Sequence, residues 1–160
     1  DQMVRPMLAS SGGSGLSAPV VGFRYFNVYG ERMALRGSRA NVIDKWIKQA
    51  QQQGRITVYE GADNLRRDFT WVGDVCRLHT DFIETVNGSG IWNVGSGLAY
   101  TFQEIAEDIA ERENATIVYE PVPNPHSFRT YTCADLTKLK STIGSRDWLT
   151  VYNWLDTQYK

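Results

Sequence analysis

Apolar positions along this chain alternate between a strand-like run and a helical spacing, and that alternation predicts an α/β architecture. Val20-Val21-Gly22-Phe23-Arg24-Tyr25-Phe26 is a β-rich run consistent with a buried strand, and Asn27-Val28-Tyr29-Gly30 ends it in a turn. Val42, Ile43, Trp46, Ile47 and Ala50 then recur at helical spacing. They predict a helix over Ser38–Gln53, capped by Ser38 and stopped by Gly54. Ile56–Tyr59 reads as a strand, Glu60–Asn64 as a turn and Phe69–Val72 as a further short strand. Asp74 is placed to cap a helix whose apolar face is Val75, Leu78, Phe82, Ile83 and Val86. Ile91–Val94 is a strand closed by Gly95-Ser96-Gly97. Thr101 followed three residues later by Glu104 forms a capping box for a helix burying Phe102, Ile105, Ala106, Ile109 and Ala110. Ile117–Tyr119 is a strand, Pro121, Pro123 and Pro125 force an irregular segment, and Ala134–Ile143 and Val151–Tyr159 read as the last helices.

The start of the chain reads differently. Residues 1–9 resemble the end of a helix broken at Pro6, and Ser10–Gly15 reads as a loop or linker. Gly13–Ala18 fits the dinucleotide fingerprint GxGxxA. That fingerprint needs a strand before it and a helix after it, whereas here an apolar run comes after it and Pro19 follows at once, so the segment reads as a loop.

Composition narrows the classes. The chain has 160 residues, 42% hydrophobic and 22% charged, which suits one medium domain with a core and excludes a disordered, collagen-like or coiled-coil chain. No apolar run approaches the roughly 20 residues that span a bilayer, so no membrane partner is expected. The start at Asp1 suggests a fragment, and the use of only two cysteines, with no CxxC spacing, points to a reducing, cytoplasmic compartment. Cys76 and Cys133 lie far apart and only His79 and His126 accompany them, so neither a disulfide framework nor a metal site is expected.

Charge is unevenly distributed. Gly22 to Arg67 holds nine Lys/Arg against four Asp/Glu, a local charge of +5, while Asp68 to the end holds seven against thirteen, or −6. The basic stretch is mostly arginine, whose fork suits phosphate. No nucleic-acid motif accompanies it, so nucleic acid is not an expected partner. Three polar clusters could carry chemistry: Asn27 with Tyr29 and Gly30 at a strand end, Arg66-Arg67-Asp68-Phe69 before a strand, and Asn93-Val94-Gly95-Ser96-Gly97, where glycine permits close backbone approach. The first two have structural alternatives: turn chemistry for Asn27 and an Arg–Asp pair for the second.

Taken together, Gly22-Phe23-Arg24-Tyr25-Phe26-Asn27-Val28-Tyr29-Gly30, Arg67-Asp68-Phe69-Thr70-Trp71-Val72-Gly73-Asp74-Val75 and Trp92-Asn93-Val94-Gly95-Ser96-Gly97 resemble the extended short-chain dehydrogenase/reductase superfamily, in its nucleotide-sugar epimerases and dehydratases. Arg36-Gly37-Ser38, Val58-Tyr59-Glu60-Gly61 and Tyr131-Thr132-Cys133-Ala134-Asp135-Leu136 are most similar to the ADP-L-glycero-D-manno-heptose 6-epimerases. The resemblance implies an α/β fold, the C-terminal part of an extended Rossmann-type protein with its smaller substrate-binding domain. Residues 1–30 and 68–98 would be the last Rossmann elements, and 31–67 and 99–160 the substrate-binding domain. The family's glycine-rich loop and Tyr-x-x-x-Lys pair precede the matched region, so the chain alone is expected to be inactive and to bind NAD or NADP weakly, and an open sheet edge is expected to favour self-association or a homo-oligomer.

The resemblance also implies roles. NAD or NADP would oxidise a sugar carbon of a nucleotide-diphosphate sugar to a ketose and re-reduce it on the other face. Asn27 matches a substrate-contacting position and Val28 a backbone contact near the nicotinamide. Ser38, Tyr59, Glu60, Gly61, Ala62 and Arg67 match substrate-binding positions, with Arg67 facing the diphosphate. Three positions depart from the heptose-epimerase pattern: Arg36 stands where that subfamily has a Lys proposed as second catalytic base, Lys45 where it has a His, and Phe128 where it has a substrate-side Tyr, unless Tyr131 takes that place. The alternatives are another nucleotide-sugar 4-epimerase, dehydratase or reductase, or a non-catalytic nucleotide-sugar binding module.

Overall fold

The computed structural model describes residues 19–123 and 129–159. In chain order these form β1 (Val21–Tyr25), β2 (Val28–Tyr29), a 3₁₀ segment (Met33–Arg39), α1 (Val42–Gln53), β3 (Arg55–Tyr59), a 3₁₀ turn (Ala62–Asn64), β4 (Arg66–Asp68), β5 (Thr70–Trp71), α2 (Val72–Thr85), β6 (Gly90–Val94), β7 (Ala99–Thr101), α3 (Phe102–Arg112), β8 (Thr116–Glu120), β9 (Tyr131–Thr132), α4 (Thr137–Ile143) and α5 (Val151–Gln158). The expected α/β alternation is present. The readings for residues 1–18, including Gly13–Ala18, and for Pro125, His126 and Phe128 lie outside the described residues.

Most strand pairs are parallel, which requires long crossovers and covered faces. β1 pairs with β6 from Val21↔Gly90 to Tyr25↔Val94. β3 pairs with β8 from Arg55↔Thr116 to Tyr59↔Glu120, and β2 pairs with β5. β4 lies between β7, antiparallel to it, and β9, parallel to it.

Two apolar clusters hold these pairs together. The first joins Ile43, Trp46 and Ala50 of α1 to Ile56 and Val58 of β3, Ile105 and Ile109 of α3, and Val151, Trp154 and Leu155 of α5. Burying each Val, Leu or Ile side chain among these contributes about 1.5–3 kcal/mol relative to leaving it in water. The second joins Val75, Leu78 and Phe82 of α2 to Trp92 and Val94 of β6. Ala134, Leu136 and Leu139 complete that second cluster, although their segment was expected in the substrate-binding domain.

Several boundaries differ from the sequence reading. α1 starts at Val42, and its cap is Asn41, whose side chain accepts from the Ile43 N–H at 3.2 Å. Ser38 belongs instead to the 3₁₀ segment, which Gly37 interrupts at φ 56°, so the helix cannot reach back to it. α2 starts at Val72, placing Asp74 inside the first turn, and no side chain caps this helix. The Asp74 carboxylate is buried and accepts from the Leu149 N–H at 2.8 Å while pairing with Arg77, so it ties the chain before α5 to α2. Phe69–Val72 divides between Phe69, β5 and the start of α2, and α4 starts at Thr137 rather than Ala134, whose N–H donates to the Asp68 carboxylate.

The capping box of α3 is present as expected. Thr101 Oγ1 accepts from the Glu104 N–H at 3.0 Å, and the Glu104 carboxylate accepts from the Thr101 N–H at 2.7 Å. The Thr101 N–H, and then the Thr101 hydroxyl at 2.8 Å, donate to the Glu104 carboxylate and hold its pKa below the ordinary range. Thr101→Ala is expected to destabilise the protein by about 1 kcal/mol in urea unfolding. Because the depressed carboxyl contributes above its unfolded pKa, the difference between variant and parent should shrink as pH falls through the folded value.

Candidate functional site

Between α1, the β3/β8 pair and the start of α3 lies a cavity of about 400 Å³ lined by Val42, Lys45, Trp46, Gln49, Thr57, Tyr59, Phe102 and Glu120. Its wall is rigid for a local reason. α1 and β3 meet so closely that both backbone groups of Thr57 are bonded by α1 side chains: the carbonyl accepts from Trp46 Nε1 at 2.9 Å, and the N–H donates to Gln49 Oε1 at 3.1 Å. The Trp46 ring meets Phe102 edge-on at 5.7 Å between centroids.

Arg67 extends this wall. Its guanidinium carbon sits 5.5 Å from the centroid of the same Phe102 ring. Nη1 donates to the Arg66 carbonyl at 2.8 Å and Nη2 to the Arg129 carbonyl at 2.5 Å, which sets the direction of the fork. Partial burial lowers its pKa, yet a guanidinium stays protonated at any physiological pH. The guanidinium has five N–H donors, so these two bonds leave donors for an anion.

The sequence-predicted residues therefore fall into groups. Lys45 and Tyr59 line this cavity, while Arg67 does not line it and touches only the ring of Phe102, one of its wall residues. Glu60 and Gly61 form the exposed turn beside it, where Glu60 N–H donates to the Glu120 carbonyl at 2.9 Å and Gly61 adopts φ 77°. Ala62 is 1% exposed and packs in the first core, so it supports that turn from behind rather than lining the cavity. Val28 and Arg36 line a separate cavity of about 120 Å³ with Gly30, Asn41 and Val72.

Asn27, at φ 27°, adjoins that smaller cavity, but its amide is taken up by the fold: Nδ2 donates to the Asp68 carbonyl at 3.1 Å. Its own carbonyl accepts from Asn41 Nδ2 at 3.3 Å. Tyr29, grouped with Asn27 by sequence, is a core residue; its hydroxyl donates to the Leu149 carbonyl at 3.0 Å, and burial pushes its pKa up.

The other two polar clusters meet each other. Asp68 does not pair with Arg67. Alternation along β4 turns its carboxylate into the interior, where it accepts from Ser96 N at 2.8 Å, Ser96 Oγ at 2.7 Å, Gly97 N at 2.9 Å and Ala134 N at 3.0 Å. The close approach that glycine permits after β6 is thus to Asp68, since a Cβ on Gly95 would lie 2.5 Å from its Oδ2. Trp46, Gln49, Phe102 and Glu120 were not read as site residues. The two aromatics carried only a helix-face signal, and Gln49 and Glu120 carried none before β3 and β8 were paired.

Comparison with known proteins agrees with this architecture. The chain superposes on the ADP-L-glycero-D-manno-heptose-6-epimerase of Helicobacter pylori with a TM-score of 0.74 and 24% identity, covering 87% of this chain and 42% of that one. The UDP-N-acetylglucosamine 4-epimerase of Methanobrevibacter ruminantium, solved with UDP-N-acetylmuramic acid, gives 0.76 and 21%, covering 98% and 51%. MoeE5, solved with UDP-glucose and NAD, gives 0.76 and 26%, also covering 98% and 51%. The chain thus spans about half the length of the structures it matches. At these identities the likeness establishes a shared fold, that of the extended Rossmann-type epimerases. Among the described residues no helix is long and apolar enough to cross a membrane. The sequence model of a protein family matches residues 2–95, more than half of the chain, and by that match the chain belongs to the NAD dependent epimerase/dehydratase family.

Proposed function

We propose that this chain is the substrate-binding part of an enzyme that epimerises or dehydrates a nucleotide-diphosphate sugar. The observation that carries the reading is one aromatic-walled cavity of about 400 Å³ lined by Lys45 and Tyr59, with the Arg67 guanidinium over the ring of its wall residue Phe102. Arg67 would fork onto the diphosphate, Lys45 and Tyr59 would line the nucleotide's seat, and the Glu60–Gly61 turn would close its edge. Residues 31–67 and 99–160 would form the substrate-binding domain, supported by the first core, in which α1, β3, α3 and α5 pack together. Residues 1–30 and 68–98 would belong to the cofactor domain.

Bound NAD or NADP would supply hydride exchange with the sugar. For this chain's described residues the fit to the cofactor is one wall: the backbone at Val28, beyond the C-terminal end of β1, where open α/β sheets hold ligands. The glycine turn after β6 offers no pyrophosphate seat, because the Ser96 and Gly97 N–H groups donate to Asp68. Asn27 would position the sugar beside that wall. Arg36, exposed at the rim of the smaller cavity, would bind or polarise a sugar oxygen, since a guanidinium is a poor base.

Calorimetric titration of this chain with UDP-, GDP- and ADP-sugars, in competition with inorganic pyrophosphate, tests the reading. Saturable, mutually competitive binding supports it, and no saturable heat from any of them at millimolar concentration would end it. The heptose version has its own test in the complete enzyme: Arg36→Lys is expected to bring no gain in epimerisation of ADP-heptose. A many-fold gain would identify a heptose site lacking its second base.

A further inference from the structure

The large cavity sets two opposite charges at its rim around an aromatic wall. Lys45 comes from α1 and Glu120 from the end of β8, where it pairs with Tyr59. Trp46 and Phe102 supply ring surface, and the Trp46 indole N–H is already taken by the Thr57 carbonyl. Gln49 has its amide oxygen held by the Thr57 N–H, which leaves its NH₂ as donor. The wall therefore offers a flat ring three kinds of contact: apolar faces, donors from Lys45 and Gln49, and an acceptor-only carboxylate at Glu120.

We infer that this cavity selects a guanine base, with Glu120 accepting from its N1–H and 2-amino group and Lys45 donating to O6 or N7. The inference rests on the nucleotide-diphosphate reading above. It follows from what each base presents to a carboxylate. Guanine offers two adjacent N–H donors that match a carboxylate's two oxygens. Uracil has one N–H between two carbonyl oxygens, which a carboxylate repels. Adenine and cytosine each place a ring-nitrogen lone pair beside the amino group, so one carboxylate oxygen meets a lone pair instead of a proton. A donor aimed at O6 from Lys45 adds to the contrast, because adenine carries an amino group there. Arg67, over the Phe102 ring of the same wall, would hold the diphosphate of that nucleotide.

The dissociation constants of GDP, IDP, ADP, CDP, UDP and inorganic pyrophosphate for this chain test it. GDP is expected to bind more tightly than ADP, CDP or UDP by about tenfold or more. IDP, which keeps N1–H and lacks the 2-amino group, should fall between GDP and ADP. Glu120→Gln should erase the preference for GDP while leaving pyrophosphate affinity and the ligand-free melting temperature as they were; Glu120 is exposed, so the variant is expected to fold. ADP or UDP binding as tightly as GDP would overturn the assignment of the base, and Arg67-dependent pyrophosphate binding in the same experiment would leave the diphosphate reading standing. If pyrophosphate and all the nucleotides fail to bind, the diphosphate reading falls and this inference falls with it.

Discussion

Asp68→Ala is expected to destabilise the protein by roughly 3–5 kcal/mol, the largest effect of any substitution considered. The side chain is fully buried and accepts four hydrogen bonds, at 2.7–3.0 Å, from two separate stretches of chain, Ser96–Gly97 and Ala134. Alanine removes every acceptor and leaves the N–H groups of Ser96, Gly97 and Ala134 facing an apolar void, each costing about 1–3 kcal/mol when unsatisfied. Relaxation and entering water would recover part of that sum. Asp68→Asn keeps one acceptor oxygen but turns an amide donor toward an N–H, so it should lie between the alanine variant and the parent. Urea unfolding followed by two probes gives the comparison. An alanine variant with the parent's midpoint would show that this carboxylate is not what joins β4 to the turn after β6 and to Ala134.

Arg67→Ala should act on binding. It is expected to weaken the affinity for a nucleoside diphosphate or its sugar by about 1.5–3 kcal/mol, which is about 10- to 150-fold in Kd. The variant loses the fork and also the cation that lies over Phe102. Arg67→Lys should restore part of the affinity, because it returns the charge without the two-pronged geometry. Arg66 is the internal control: it precedes Arg67 on β4 and is exposed, and strand alternation points the two side chains to opposite faces. Arg66→Ala should therefore change the affinity far less. Calorimetry with pyrophosphate and with UDP-glucose, beside a thermal melt of each variant, separates lost binding from lost fold. Equal effects at Arg66 and Arg67 would reduce the diphosphate assignment to general electrostatics.

The residues that were easiest to read are those whose role is local. The capping box at Thr101 and Glu104, the stop at Gly54 and the apolar faces of α1 and α3 depend on spacing of a few residues, and the structure keeps them; α2 keeps Val75, Leu78 and Phe82 but leaves Ile83, read on the same face, 85% exposed. Readings failed where a distant partner competes for a polar side chain. Ser38 was a plausible cap by type, but Asn41 lies on the helix side of the kink at Gly37 and takes that role. Asp74 had the right residue type for a cap as well, and the Leu149 N–H, 75 residues away, claims it.

The candidate site divides along the same line. Sequence alone determined the α/β order, the basic character of the stretch that ends at Arg67, and the family motifs at Asn27–Gly30, Arg67–Val75 and Trp92–Gly97. Only the tertiary structure decided which members of those motifs face a cavity and which face the interior. Arg67 and Asp68 are neighbours in one motif, yet one lies on an aromatic rim and the other anchors three segments, because a strand sends successive side chains to opposite faces. Likewise Glu120 had no legible role until parallel pairing brought the end of β8 beside Tyr59. Spacing along a chain encodes which face of an element a residue occupies, while what that face meets is set by pairing between strands far apart in sequence.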